Sequence, residues 1–324
     1  SEALAIAHTE QNRACRAIAE EIDTSFALTD EDCADTRETG AGPGYGFSGG
    51  SDFLGQPVTE RGMGMTRVYH LFNSTSREKR ETAELTLWDW AGDLHRLAAY
   101  TPDGTELPLQ LLDQERKWYW DHMYLRVLVD VTVPALGYTT LVLRQKEAEE
   151  YPFYYHTSSS ISYPYENPVL ENEYLRAEFD FRTGGLVSLT DRETGCELVH
   201  SAQGGRLCSI RTEYVSSNGW HIGRYLGSDE VETLRIRTEH TGPLRQGFVV
   251  EQRLGDARME TAVSLDAHAR AVRYHLKLDW PEHGREGEPK PAPVLSFVLP
   301  LAYPSNECLR DIPAGADIQP AQQN

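Results

Sequence analysis

No stretch of the sequence approaches the roughly 20 uninterrupted apolar residues that a membrane-spanning helix needs, and the mean hydropathy is −0.51. A spanning helix is excluded on that ground. Cysteine is scarce as well: five residues (Cys15, Cys33, Cys196, Cys208, Cys308), odd in number and far apart, with no CxxC pair. Neither a zinc-type spacing nor a secreted disulfide framework fits them, so a reducing compartment is expected and the cytoplasm is the assigned location. Positive charge is also short, with 31 Lys and Arg against 50 Asp and Glu and a formal net charge of −19. Such a field repels phosphate backbones and anionic lipid. Neither nucleic acid nor membrane is expected as a partner, whereas neutral ligands such as sugars carry no penalty. The opening Ser1-Glu2-Ala3-Leu4 lacks the positive charge and apolar run of a signal peptide. It reads as the middle of a longer protein.

What is present divides along the chain. At 324 residues the length exceeds one ordinary domain. Residues 2–22 carry the one helical pattern, with Leu4, Ala7, Ala14, Cys15, Ile18 and Ile22 recurring at three- and four-residue intervals and alanine frequent between them. Residues 1–26 are therefore expected to form a single N-terminal helix whose stripe needs partners. Residues 27–66 form an acidic, then glycine-rich connection, and a loop of that length is usually a functional loop or a linker. From 67 to 145 the apolar period becomes two: Thr82 to Leu87, Leu125 to Val133 and Tyr138 to Arg144 alternate, separated by turns such as Asp103-Gly104 and Pro134-Ala135-Leu136-Gly137. A small antiparallel β domain is predicted there. Residues 146–168, rich in Tyr, Ser and Pro, read as a strap. Alternation resumes over 169–324, where Leu175, Ala177, Phe179 and Phe181 face one way and charged residues the other. Val272, Tyr274, Leu276 and Leu278 alternate likewise, and Leu295, Phe297, Leu299 and Leu301 close another predicted strand. The fold class is mainly β, built of antiparallel sandwiches.

Motifs that carry chemistry are few. Gly44-Tyr45-Gly46-Phe47-Ser48-Gly49 fits GxGxxG and Gly46 to Gly50 fits GxSxG, but neither has the strand before and helix after that the chemistry requires. The same loop presents Tyr45 and Phe47 as candidate ligand contacts. Asn73-Ser74-Thr75 is an N-glycosylation sequon, read as a polar turn after the strand at 68–72. Eleven histidines include no HExxH motif and no i,i+4 pair on a credible helix, and His275 belongs to the polar face of a strand. Carboxylates alternate outward or sit in turns, and none is nominated as catalytic. Aromatic residues say more, since their apolar faces pack on sugar rings. Trp220, His221 and Tyr225 lie in a loop context and join Tyr45 and Phe47 as candidate substrate contacts. Trp118-Tyr119-Trp120 is assigned to packing.

An ordered series of segments resembles a known family. Val68-Tyr69-His70-Leu71-Phe72-Asn73 is followed by Pro134 to Tyr138, Leu170-Glu171-Asn172-Glu173-Tyr174-Leu175 and Gly184 to Gly195. Leu276-Lys277-Leu278-Asp279-Trp280, Phe297 to Leu301 and Asp311 to Gly315 complete it. The chain resembles the C-terminal part of glycoside hydrolase family 38, the α-mannosidases, over about 250 residues. Ser74-Thr75-Ser76 and Ala314 depart from the family pattern. The resemblance implies that residues 169–324 form a galactose-mutarotase-like β-sandwich, incomplete at its end, and that the N-terminal helix is the last of a helical bundle. It implies a retaining enzyme with zinc or another divalent metal held in an N-terminal barrel that these residues do not include. No catalytic or metal residue is therefore expected here, and the fragment alone is expected to be inactive. Expected partners are α-mannosides or oligosaccharide, the protein's own catalytic domain, and further copies in a homo-oligomer. A stand-alone carbohydrate-binding sandwich is the alternative, and an aldose epimerase a third reading from fold alone.

Overall fold

The structure, a computed structural model, describes residues 2–27, 64–113, 115–119, 122–147, 163–199, 209–215, 225–229, 231–281, 292–299, 301–303, 306–312 and 315–320. It is mainly β, with antiparallel sheets and one helix at the N-terminus. Helix α1 spans Glu2–Glu20. Alanine-rich sequence favours it, and Arg16 to Glu20 and Arg13 to Glu10 pair one turn apart along its surface. Its apolar stripe is largely exposed, Leu4 at 59% and Ile18 at 48%.

Two compact units follow from the pattern of contacts. The first takes in Ser1–Ser162, Thr238–Gly247 and Ser264–Ala269, and the second takes in Tyr163–Arg237, Phe248–Val263 and Arg270–Asn324. In the first, strands β1 (Arg67–Asn73), β2 (Lys79–Trp88), β3 (Leu97–Tyr100), β4 (Glu106–Leu107), β5 (Leu109–Leu111), β6 (Lys117–Tyr119), β7 (His122–Val133) and β8 (Gly137–Gln145) form two sheets. One runs β1-β8-β3-β4 and the other β2-β7-β5, with β6 paired to β7. Side chains alternate across each strand, so Leu85, Leu87, Leu109, Leu111, Leu125, Val127, Val129 and Val131 meet Leu97, Ala99, Leu141 and Leu143 in one core. This is the sandwich that the alternation predicts. Tyr69 ties the two sheets together through its hydroxyl, which donates to Thr86 O at 2.8 Å. The β7–β8 turn places Leu136 at φ 46°, and its amide donates to Thr75 O at 2.9 Å.

In the second unit, β9 (Val169–Glu171), β10 (Leu175–Phe179) and β11 (Leu186–Asp191) form a sheet in the order β11-β10-β9. Strands β12 (Ser209–Val215), β13 (Tyr225–Asp229), β14 (Glu232–Thr241), β15 (Arg245–Leu254), β16 (Ala257–Asp266), β17 (Arg273–Asp279), β18 (Ala292–Val298), β19 (Glu307–Ile312) and β20 (Gly315–Pro320) complete the chain. They give a β13-β12-β18 sheet, a β14-β15-β16-β17 sheet and the β19-β20 hairpin. The ends of β14 to β16 at 238–247 and 264–266 count with the first unit. Phe179 and Phe248 meet edge to face at 4.9 Å in the core of the second.

The two turns flanking β11 share one local design. Asp180-Phe181-Arg182-Thr183-Gly184 and Asp191-Arg192-Glu193-Thr194-Gly195 each use the aspartate Oδ1 to accept the amides two and three residues on. Each ends on a glycine at φ 71° whose amide returns to the aspartate carbonyl at 2.8 Å. Asx geometry supplies the bend and glycine supplies the left-handed backbone. Gly184 is doubly constrained, since a Cβ there would come within 2.5 Å of Val250 Cγ2.

The strand predicted over 295–301 is present but ends three residues early. Strand β18 stops at Val298, and Phe297, Leu299 and Leu301 are exposed. Leu309 and Ile318, directly opposed on β19 and β20, are 72% and 63% exposed.

One residue of the first unit closes a hydrogen-bond account that backbone alone leaves open. Gln110, at 0% exposure, accepts the amides of Leu244 and Arg245 at 2.8 and 2.9 Å and donates to Arg245 O at 3.1 Å. Gly242 makes room for it, because a Cβ there would stand 2.1 Å from Gln110 Cδ. Gln110→Ala is expected to cost about 3 kcal/mol by orphaning buried backbone groups. Gly242→Ala is also expected to destabilise the wild type, and to do so by much less in the Gln110→Ala background. Urea unfolding of both single variants and the double variant checks this, and additive losses would contradict it.

Candidate functional site

The outer face of the β2-β7-β5 sheet holds the densest grouping of charge among the described residues. On a half-buried strand the even-numbered positions would ordinarily meet solvent. Here Glu84, Gln110, Arg126, Leu128 and Asp130 meet residues 238–247 and 264–269 of the same unit. Leu112, Leu128 and Leu244 supply an apolar patch with Ala267 against it. Arg126 grips Asp113 through Nε and Nη2 at 3.0 and 2.9 Å, and Lys117 Nζ reaches the same carboxylate at 2.7 Å. Arg245 holds Asp266 at 2.6 and 3.1 Å and turns its remaining nitrogen to Glu84 at 3.1 Å. Arg80 pairs with Asp130 at 2.7 Å, and His268 Nε2 stands 3.4 Å from the same carboxylate.

Electrostatics follow from these distances. Burial by itself raises the Asp113 carboxyl, but the hydrogen bonds and charges of Arg126 and Lys117 outweigh it and hold the group below the ordinary carboxylate range. Burial likewise lowers Arg126, and the bond to Asp113 reverses the sign, so its guanidinium is held more firmly protonated than usual. His240, on β14, is lowered by burial first, with Arg245 and Arg126 adding repulsion against the opposing pull of Glu239 and Glu84. Its Nδ1 is buried without a hydrogen-bond partner. A general acid for glycoside cleavage needs a raised carboxyl pKa. Asp113 has the opposite, and Asp130 and Asp266 are each held by an arginine. The network is suited to fixing chain segments to a sheet, not to proton transfer.

The candidate aromatics divide by position. Tyr45, Phe47, Trp220 and His221 lie outside the described residues, as do both glycine motifs. Tyr225 opens β13, opposite Val215 of β12. The packing assignment for Trp118 is corrected: it stands on the short strand β6 and is 67% exposed. His275 is exposed as expected. Asn73 is the polar turn anticipated. Its Oδ1 accepts from Thr75 N and Oγ1, and its Nδ2 donates to the carbonyls of Arg77, Val133 and Pro134. That nitrogen is committed to folding and cannot carry a glycan in the folded chain. Among the described residues no group of three or more His, Cys, Asp or Glu could hold a metal ion, and no helix is long and apolar enough to cross a membrane. Sequence reasoning missed the Gln110 network. The available signal was a glutamine inside the apolar run Leu109 to Leu112, a polar group that burial obliges to find partners.

Residues 170–324 match the model of the glycosyl hydrolases family 38 C-terminal domain. The fold is similar to that in "The Crystal Structure of a Protein in the Glycosyl Hydrolase Family 38 from Enterococcus faecalis", with a TM-score of 0.55 and 13% identity over 79% of this chain. At that identity the likeness is one of fold. The matched part is 35% of that chain, so the present sequence spans about a third of its length. No curated protein matches the sequence.

A pH dependence follows from two half-buried histidines. Burial lowers both His240 and His70 below 6.5, so the unfolded chain binds protons that the folded one refuses. Their contribution is intact above pH 6.5 and is lost as pH falls through the lowered folded values. The melting temperature is expected to fall from pH 7.5 to 5.5. His240→Gln should flatten that slope in thermal denaturation at matched ionic strength, and an unchanged slope would remove His240 from the account.

Proposed function

We propose that this chain is the C-terminal portion of a retaining α-mannosidase, and that within it these residues serve as scaffold and domain surface rather than as the catalytic centre. The observation that carries the reading is the family 38 C-terminal domain over residues 170–324. Two physical features support it. Helix α1 bears an apolar stripe that lies exposed along the helix, as expected of a helix that packs against others. The buried carboxylates Asp113, Asp130 and Asp266 of the first unit are paired with arginine, an arrangement that stabilises a fold. In the complete enzyme the α-mannosidic bond would be cleaved through a covalent glycosyl-enzyme intermediate formed by a pair of carboxyl groups. Zinc or another divalent ion would belong to that catalytic domain. The described residues offer no donor set that fits such an ion. A cytoplasmic setting is part of the proposal and accords with the free thiols Cys15 and Cys196.

Two measurements test this. The chain alone, with zinc added, is expected to leave an aryl α-mannoside unhydrolysed while the parent protein turns it over. Metal-dependent turnover by the chain would overturn the non-catalytic reading, and a parent inactive on α-mannosides would overturn the enzymatic one. In addition, Ile18→Glu is expected to shift the melting temperature of the chain by less than about 2 °C, since surface substitutions stay within roughly 0.5 kcal/mol. The same change should lower that of the parent by several degrees if the stripe is buried there.

A further inference from the structure

Two inward rows of the β14-β15-β16-β17 sheet are each broken once by a polar residue. On β15 the row Phe248, Val250 and Leu254 is buried, and Gln252 stands within it at 8% exposure. On β16 Met259 and Val263 are buried, with Thr261 between them at 6%. Residues two apart on a strand share a face, so both polar side chains belong to the interior of the second unit. A hydroxyl withdrawn from water loses free energy unless another hydrogen bond replaces the one it gave up. Thr261 Oγ1 is shielded from solvent and finds no hydrogen-bond partner among the described residues. A cavity of about 20 Å³ lies beside it, with a lining that includes Gln252, Thr261, Tyr274, Val250, Val263 and Phe297. The three polar groups come from the adjacent strands β15, β16 and β17. Phe297, on β18, meets the Tyr274 ring edge to face at 5.1 Å.

We propose that this cavity is the site of one structural water, which hydrogen-bonds Thr261 Oγ1 and bridges it to Gln252 and Tyr274. Size and lining select that occupant. A single water needs a cavity of roughly 10–15 Å³, so one molecule fits and an organic ligand does not. No charged side chain lines the space, and an ion there would lose its hydration with no opposite charge to replace it. A hydroxyl, an amide and a phenol each donate and accept, which matches a water molecule that does both. Internal waters typically make about three such bonds, the number of polar side chains named. The bridge adds side-chain connections between strands that the backbone ladder already joins. It also accounts for a glutamine and a threonine at positions where alternation calls for apolar residues.

The sign of one substitution separates a watered cavity from a dry one. In a dry cavity, Thr261→Val replaces an unpaired hydroxyl with a methyl group of similar shape, and the fold gains stability. With water present, the same change removes one of the water's partners and the fold loses stability. Thermal denaturation of the 324-residue chain and of its Thr261→Val variant reads that sign, beside a high-resolution crystal structure of the unsubstituted chain. The variant is expected to melt about 3 °C lower. An ordered solvent atom is expected within roughly 3.2 Å of Thr261 Oγ1. A variant that melts at or above the temperature of the unsubstituted chain overturns the proposal, and so does a cavity without solvent density. Should the variant fail to fold, the solvent density decides alone.

Discussion

A single buried amide sets the terms for the first unit. Gln110 sits where a sandwich sheet would ordinarily face water, and its side chain does for residues 244 and 245 what a neighbouring strand would do for an edge. A buried amide that lacked those three bonds would cost more than the contacts around it return. Its position therefore fixes the Gly242 turn, and the turn fixes the backbone from which Arg245 projects. Only from that backbone does one guanidinium reach Asp266 and Glu84 together. Glu84 is also 3.8 Å from Arg126, so the alignment of one glutamine is passed on to the Asp113 pair across the sheet.

Covering both faces of β2-β7-β5 has an electrostatic consequence. Charges removed from water lose solvation that Coulomb attraction alone does not restore, and they are tolerated only where hydrogen bonds fill the remaining valences. Bidentate arginine geometry does this for Asp113, Asp130 and Asp266. The β14 to β17 face is under no such demand, because Arg235, Glu251, Glu260 and Lys277 keep much of their hydration.

Local order in the sequence was legible where it is written in short periods. Alternation marked β2, β7, β8 and β10. These depend on neighbours within a few residues, and the physics that reads them is local. The Gln110 network was not legible, because Gln110 and its partners are 134 and 135 residues apart. Hydrophobic pattern misled in two places. Trp118 looks like a core residue by type yet lies on a strand too short to carry it inward. The run from Phe297 to Leu301 has the alternation of a strand, but alternation states only that two faces differ. It does not state that the apolar face is covered. The aromatic candidates were drawn from loops, where no period exists to place them; of the five, only Tyr225 falls at a described backbone position.

That distinction bears on helix α1 as well. Nineteen residues in isolation make a marginal helix in water, since nucleation is costly and each added residue gains little. Alanine content and the Arg13 and Arg16 pairs supply a few tenths of a kcal/mol each, which does not hold such a helix firmly. Stability for a helix of this kind comes from burying its stripe, at roughly 1.5–3 kcal/mol for each Leu or Ile fully removed from water. Leu4, Ile6 and Ile18 are exposed, so that free energy is ungained within the described residues. The same holds for Leu309 and Ile318 on the β19-β20 hairpin. Two apolar surfaces in different units, one helical and one extended, are thus exposed among the described residues. A domain used as scaffold would keep its recognition free energy at such surfaces, with its interior closed by networks like that of Gln110.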